Sequence, residues 1–284
     1  MLVFVSDMHL TDQTLAPSVC PEALEQLTKE VRQIAKKVKK VKLIFLGDIF
    51  DVLRSSHWLV KISGDSFLYT PVSIRPWHAV DAPLERVVST ILADIKKSYL
   101  DFFEELRGIE NVESIWVSGN HDRLVNETQV GRQFLEDIGV QAAGYEILEK
   151  DFGVFARHGH FHDKYNIRDS NHKLSPFGDA IVIEILNKLQ VEVAKKRKIV
   201  NFDHPEIAFL GAMEYERPHT RVPIWLFKIT ELLPDVLLKN QTRDAWRDVV
   251  DSFTANQMLT SSANRTKHFG ESPHNIKRFQ NFNS

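Results

Sequence analysis

The chain has 284 residues, of which 43% are hydrophobic and 26% charged, with a formal net charge of −2. A chain of this length and composition builds a core of its own, which excludes a disordered or collagen-like protein; near-neutral charge excludes global polyanion binding, so any basic partner surface has to be local. The single cysteine, Cys20, cannot form an internal disulfide and fits a reducing compartment.

The opening stretch MLVFVSD reads as a first strand, Leu2 to Val5, and lacks the basic segment, long apolar core and small-residue cleavage site of a secretory signal. No apolar run reaches the roughly 18 residues that span a bilayer, so a cytoplasmic protein without a membrane span is expected. From Pro21 to Lys40 the apolar residues Leu24, Leu27, Val31, Ile34, Ala35 and Val38 recur at spacings of three and four. With Pro21 in the first turn and lysines clustered in the last, that pattern predicts a helix. Val41 to Leu46 predicts a second strand. The stretch from Val52 to Ala82, rich in aromatics and turn residues, reads as an inserted cap or loop, in which His57, Trp58, Trp77 and His78 are candidates to line a pocket.

A helix is predicted from Pro83 to about Leu106, a strand at Ser114 to Val117, a helix over Gln129 to Ile138 ended by Gly139, and a strand at Gly153 to Ala156. Beyond these, a helix from Asp179 to about Lys196 is expected, then strands at Ile207 to Leu210 and Val222 to Ile229. A helical extension follows Pro234, and a polar, aromatic tail runs to Ser284. Strands alternating with helices indicate an α/β class. The domain reading is 1–234, with 52–110 inserted between motifs, followed by an extension over 235–284.

Four short polar clusters follow four of these strands. VSDMHL carries Asp7 and His9 two apart, which on an extended strand project to one face. FLGDIFD carries Asp48 and Asp51 after Gly47. VSGNHDR carries Asn120, His121 and Asp122. FARHGHFHD carries His158, His160 and His162. Each has a plain alternative, since Asp caps helices, Asn holds turns and a lone His is more often structural. Four strands in succession ending this way argue for a shared site, because strand carboxyl ends are where α/β folds assemble them. Oxygen and nitrogen donors without thiolate suit Mn, Fe(II) or Zn, and their number exceeds what one four-coordinate ion needs. Two ions are therefore expected, and a bridging role explains why Asp48 tolerates burial.

The order SDMH, GDIFD, GNHD, HGH, from Asp7 to about Asp163, resembles the calcineurin-like metallophosphoesterases. The resemblance implies a sandwich of two mixed β-sheets flanked by helices, a dinuclear centre with Mn favoured over Fe or Zn, and hydrolysis of a phosphate ester by a hydroxide bridging the ions. It implies that Asp7 and His9 bind the first ion, that Asp48 bridges, and that Asn120 and His158 bind the second. His121 would serve the leaving group and Asp122 would orient its ring. The family's separate later G-H-x-H is not repeated here. His160 is the favoured extra ligand; His162, or Glu214 and Glu216 in GAMEYERP, are alternatives.

A small phosphorylated substrate is the expected partner. SDMHL also resembles the UDP-diacylglucosamine pyrophosphohydrolases, although GNHD departs from their third motif. A nuclease of the same superfamily is a further reading, for which a tail containing Arg265, Lys267, Lys277 and Arg278 with Phe269, Phe279 and Phe282 offers a nucleic-acid surface that net charge does not favour. From another class, a scaffold that kept the fold and lost the chemistry would be expected to lack these ligands, all of which are present.

Overall fold

The computed structural model describes residues 1–16, 19–64, 66–69, 80–163, 165–167, 172–216 and 221–264. In chain order the elements are β1 (Leu2–Val5), α1 (Pro21–Ala35), β2 (Val41–Leu46), β3 (Val60–Ser63), β4 (Ser66–Tyr69), α2 (Ala82–Arg107), β5 (Val112–Val117), α3 (Arg123–Glu127), α4 (Gln129–Asp137), β6 (Gln141–Gly144), β7 (Glu146–Glu149) and β8 (Val154–Arg157). The helical second half follows as α5 (Phe177–Ile181), a π-helical segment Val182–Asn187, α6 (Lys188–Arg197), α7 (Pro205–Ala208), α8 (Val222–Glu231) and α9 (Val236–Asn264). They form two compact units, one comprising 1–58 and 76–179, the other 59–75 and 180–284.

The first unit is built on a parallel sheet in the order β1-β2-β5-β6, with Val5 opposite Phe45 and Leu46 opposite Val117. Because strand side chains alternate, β2 sends Val41, Leu43 and Phe45 to one face and Lys42, Ile44 and Leu46 to the other. The first face is covered by α1, α2 and α4, under which Phe50 meets Phe103 at 5.9 Å, Trp116 at 6.5 Å and Phe134 at 5.0 Å between ring centroids. The second is covered by the antiparallel β7–β8 hairpin, whose Ile147 and Ala156 pack with Leu2, Ile44, Leu46, Ile115 and Val117. A salt bridge from Lys42 Nζ to Glu149 Oε2 at 2.6 Å ties that hairpin to the sheet.

Helices α1 and α2 start where their sequence signals place them, although α1 ends at Ala35, so that the lysines expected in its last turn lie beyond it. In α1, Pro21 opens the first turn and Leu24, Thr28, Val31 and Ala35 make the buried stripe. In α2, Asp81 Oδ1 accepts from the Leu84 N–H at 2.9 Å as N-cap, and ten buried residues from Leu84 to Leu106 line one side. A helix N-cap of this kind contributes about 1 kcal/mol, whereas each of the larger buried apolar side chains contributes about 1.5–3 kcal/mol, so packing decides the helix and the cap fixes its start.

The α/β class with flanking helices is as expected. The sheet content differs in detail: the main sheet is wholly parallel, and the remaining described strands are the hairpins β3–β4 and β7–β8. In the second unit two expected strands are helical. Ile207–Leu210 falls in α7 and a 3-10 segment, Phe209–Tyr215, and Val222–Ile229 is α8. Short apolar runs do not distinguish strand from helix by periodicity. In α8 the buried residues Val222, Leu226 and Thr230 are spaced by four, leaving Ile224 and Phe227 exposed, and Pro223 suits a first helical turn. The unit's helical packing centres on α9 against α6, α8 and the π segment, and Phe67 of β4 meets Phe202 at 6.4 Å. Among the described residues no helix is long and apolar enough to cross a membrane.

Candidate metal centre

Parallel pairing of β1, β2 and β5 brings their carboxyl ends to one edge of the sheet, and β8 delivers His158 beside them. The first two loops continue to pair beyond the strands. Asp7 N–H donates to the Gly47 carbonyl at 3.1 Å, His9 N–H to Asp48 at 3.0 Å, Leu10 N–H to Ile49 at 2.8 Å and Asp51 N–H to Leu10 at 2.9 Å. β1 ends at Val5, and Asp7 (φ 55°), His9 (φ 48°) and Asp48 (φ 53°) all sit in the left-handed region. The expected alternation on an extended strand is therefore not what joins Asp7 to His9; two zipped loops do so. Left-handed non-glycine residues are costly and persist only where surrounding bonds hold them, as at functional sites.

Two glycines make room for this convergence. Gly47 has φ 81°, and a Cβ there would lie 2.5 Å from the His158 ring. A Cβ on Gly119 would collide with the Asp48 carboxylate.

The ligand atoms of Asp7, His9 and Asp48 lie within 4.8 Å of one another. Asp48 is buried, its Oδ1 accepts from the His121 N–H at 2.9 Å, and its Oδ2 lies 3.2 Å from His158 Nε2. His158 Nδ1 donates to the Leu46 carbonyl at 3.1 Å, which aims Nε2 at Asp48. Burial would raise the Asp48 pKa, but the His158 hydrogen bond and the His121 charge bring it to about 2. For His158 burial would act downward, and Asp48 overrides it, raising the ring to about 9. Asn120 is buried in the loop that follows β5, adjacent to the His121 amide on Asp48.

His9, Asp51 and His121 are spaced as closely as the first group, but Asp51 already has donors around both oxygens. Its Oδ2 meets His9 Nδ1 at 3.0 Å, His121 Nδ1 at 2.9 Å and Arg54 Nε at 2.5 Å, while Oδ1 accepts from the Leu53 and Arg54 N–H groups. Fully buried, it would rise in pKa but for His121 and Arg54, which hold it well below the carboxylate range. His121 in turn is raised to about 9 by Asp51 against its own burial. The carboxylate on the His121 ring is thus Asp51, not Asp122. Asp122 instead accepts from Gly119 N–H at 2.6 Å, Ile49 N–H at 2.9 Å and the Trp116 indole at 3.0 Å, bracing the second and third loops against each other. Burial, then the neighbouring Asp48 charge, raise its pKa to about 6. The GDIFD spacing held the signal for Asp51; only the fold shows which rings it meets.

The fourth motif does not run on as a strand. Gly159–His162 is a 3-10 turn, in which residues two apart point apart. His160 goes inward, 5% exposed, its ring 5.4 Å from His158 and both nitrogens without a hydrogen-bond partner among the described residues. His162 is exposed beside Arg157, 3.5 Å from Nη2. His160 is held near pKa 4 by burial and by the charge of His158. Buried imidazole nitrogens left open, next to a carboxylate cluster with no thiol, form a donor set that fits a divalent cation.

Glu216 follows the 3-10 segment of the second unit, and among the described residues it joins no group spaced to hold an ion; the Glu214 side chain lies outside the described ones. Trp58 is core, its Nε1 donating to the Val52 carbonyl at 2.7 Å, and His57 Nε2 pairs with Asp94 of α2 at 2.9 Å. Trp77, His78 and the basic, aromatic tail lie outside the described residues.

The family model described as calcineurin-like phosphoesterase matches residues 1–228, a span that contains all four loops. No curated protein and no solved structure matches the chain. A match over most of the sequence, on a chain whose parallel strands β1, β2 and β5 carry three of these loops to one edge and whose hairpin strand β8 brings the fourth beside them, assigns the lineage: the chain belongs to the calcineurin-like phosphoesterase family.

Proposed function

We propose that this chain hydrolyses a phosphate ester at a dinuclear centre, with Asp7 and His9 on one divalent cation, Asn120, His158 and His160 on the other, and Asp48 between them. The family is one of metal-dependent phosphoesterases, and the observation that carries the finer reading is the approach of Asp7, His9 and Asp48 ligand atoms to within 4.8 Å across two loops. When bound, the cations supply Lewis acidity toward phosphate oxygens and water activated near neutral pH. Manganese is the favoured ion, with Fe(II) or Zn as alternatives that the mixed set of carboxylate, amide and imidazole donors also suits.

The chain's own residues do the rest. Asp51 holds the His121 ring by Nδ1 and keeps it protonated, so that its other nitrogen has a proton to give to the departing oxygen. Such positioned general acids contribute about 10²- to 10⁴-fold. Asp122 keeps the His121 loop in register with the Asp48 loop and so serves the chemistry indirectly. The phosphoesterase domain is read as 1–234, with 235–284 an extension. The test is a panel of aryl phosphomonoesters, phosphodiesters, nucleotides and nucleoside-diphosphate sugars assayed with Mn, Fe(II) or Zn. Metal-dependent turnover of at least one class is expected; none with any metal would remove the proposal.

A further inference from the structure

His160 lies among three rings: His158 at 5.4 Å, Phe161 at 4.5 Å and His172 at 6.1 Å between centroids, the last at 80°. An imidazole that gives one nitrogen to a cation carries its proton on the other, and that N–H needs an acceptor within the protein. Phe161 has none to offer. His158 already uses Nδ1 on the Leu46 carbonyl and directs Nε2 at Asp48. Of the rings around His160, His172 is the one whose buried nitrogen, Nδ1, also has no partner among the described residues.

His172 stands in no motif, yet it is held with care. Tyr145 stacks on its ring at 3.5 Å and 16°, and the Tyr145 hydroxyl donates to Glu127 Oε1 at 2.5 Å. Arg123, 2% exposed, donates from Nη1 to the His172 carbonyl at 2.7 Å, and from Nη2 to Ser175 Oγ at 3.1 Å and Asp179 Oδ2 at 3.0 Å. Arg123 directly follows Asp122. The turn that carries Asn120 and His121 therefore also sets the place of His172.

We infer that His172 is a positioning residue for the cation site, accepting a hydrogen bond on Nδ1 from the His160 nitrogen that does not face the cation. The inference rests on His160 being a ligand. The two rings stand edge to face without a hydrogen bond between them, so the bond is one that cation binding completes. It explains three features of the described residues together: the open nitrogens of His160, the open Nδ1 of His172, and a buried arginine that holds the His172 backbone in place.

The test uses the full-length protein, stripped with chelator and titrated with Co(II), following both affinity and the visible absorption of the bound ion. His172→Phe keeps a flat ring for Tyr145 to stack on and removes both nitrogens. It should bind as many Co(II) ions as the wild type, one of them about 10- to 100-fold more weakly and with a shifted spectrum. His172→Ala should show the same loss. A His172→Phe protein with wild-type affinity and spectrum overturns the inference, including the case in which His172→Ala alone is weakened, because ring shape would then be all that matters. His160→Ala separates the two levels. If it binds Co(II) as the wild type does, His160 is no ligand and the inference falls with that reading; if it loses an ion while His172→Phe is unchanged, only the role of His172 falls.

Discussion

Replacing Asp51 by Asn changes one atom and disturbs five contacts. The carboxylate is completely buried, with three side-chain donors at Oδ2 and two backbone N–H groups at Oδ1. An amide has one oxygen. It can keep the backbone pair or the side-chain set, and its NH₂ then faces donors at the other position. Removing one member of a buried charge pair costs about 3–5 kcal/mol, out of a total stability of about 5–15 kcal/mol for a domain. Asp51→Asn should therefore lower the urea midpoint of the chelator-treated protein strongly. The loss has a pH signature. Asp51 has a depressed pKa, so its contribution is present above the unfolded value of about 4 and is lost in stronger acid. His121 has a raised one, so its share is complete below about 6.5 and fades as pH rises through about 9. The difference between the two proteins should thus be widest from about pH 4 to 6.5 and shrink on both sides. A difference under about 1 kcal/mol at pH 6, or one that does not vary between pH 6 and 10, would refute the assignment of Asp51 as the shared anion.

The other expectations bear on the centre itself. His121→Ala should retain its metal, measured by elemental analysis, while kcat falls by about 10²- to 10⁴-fold; near-normal turnover would remove His121 from the mechanism. Asp48→Asn should purify with less metal than the wild type, and unchanged metal content would end its bridging role. Gly119→Ala drives a methyl into the Asp48 carboxylate; overpacking of this kind costs about 1–3 kcal/mol, and a shift of Asp48 should weaken Co(II) binding together with stability. A Gly119→Ala protein with wild-type melting and affinity would show that the loops have more room than the structure gives them.

Helices α1, α2, α4 and α9 were legible in the sequence because each declares itself locally. Apolar residues at three and four apart, with Pro21 and Pro83 near the helix starts, fix the beginnings of α1 and α2 to within a residue, whereas α1 ends at Ala35, before the lysines expected in its last turn. Strands β1, β2, β5 and β8 were legible for the same reason, a short apolar run closed by polar residues. Val222–Ile229 was not, since a short run that is apolar except at Lys228 suits either geometry and only the neighbours against which Val222 and Leu226 pack choose between them.

The site divides in the same way. The residue types and their order in four motifs are a property of the sequence, and they suffice to announce oxygen and nitrogen chemistry without thiolate. Which atoms meet depends on the fold. Asp7 and His9 converge because their loop pairs with the Gly47–Phe50 loop and not because of strand alternation. Asp51 rather than Asp122 takes the His121 ring, and a 3-10 turn sends His160 in and His162 out. His172 had no local signal at all, standing apart from every motif until Arg123 and Tyr145 place it against His160. Local sequence determines backbone conformation and the inventory of donors. Contacts between residues distant in the chain, such as the 70 positions from Asp51 to His121, are decided by packing of the whole unit, which no local pattern encodes.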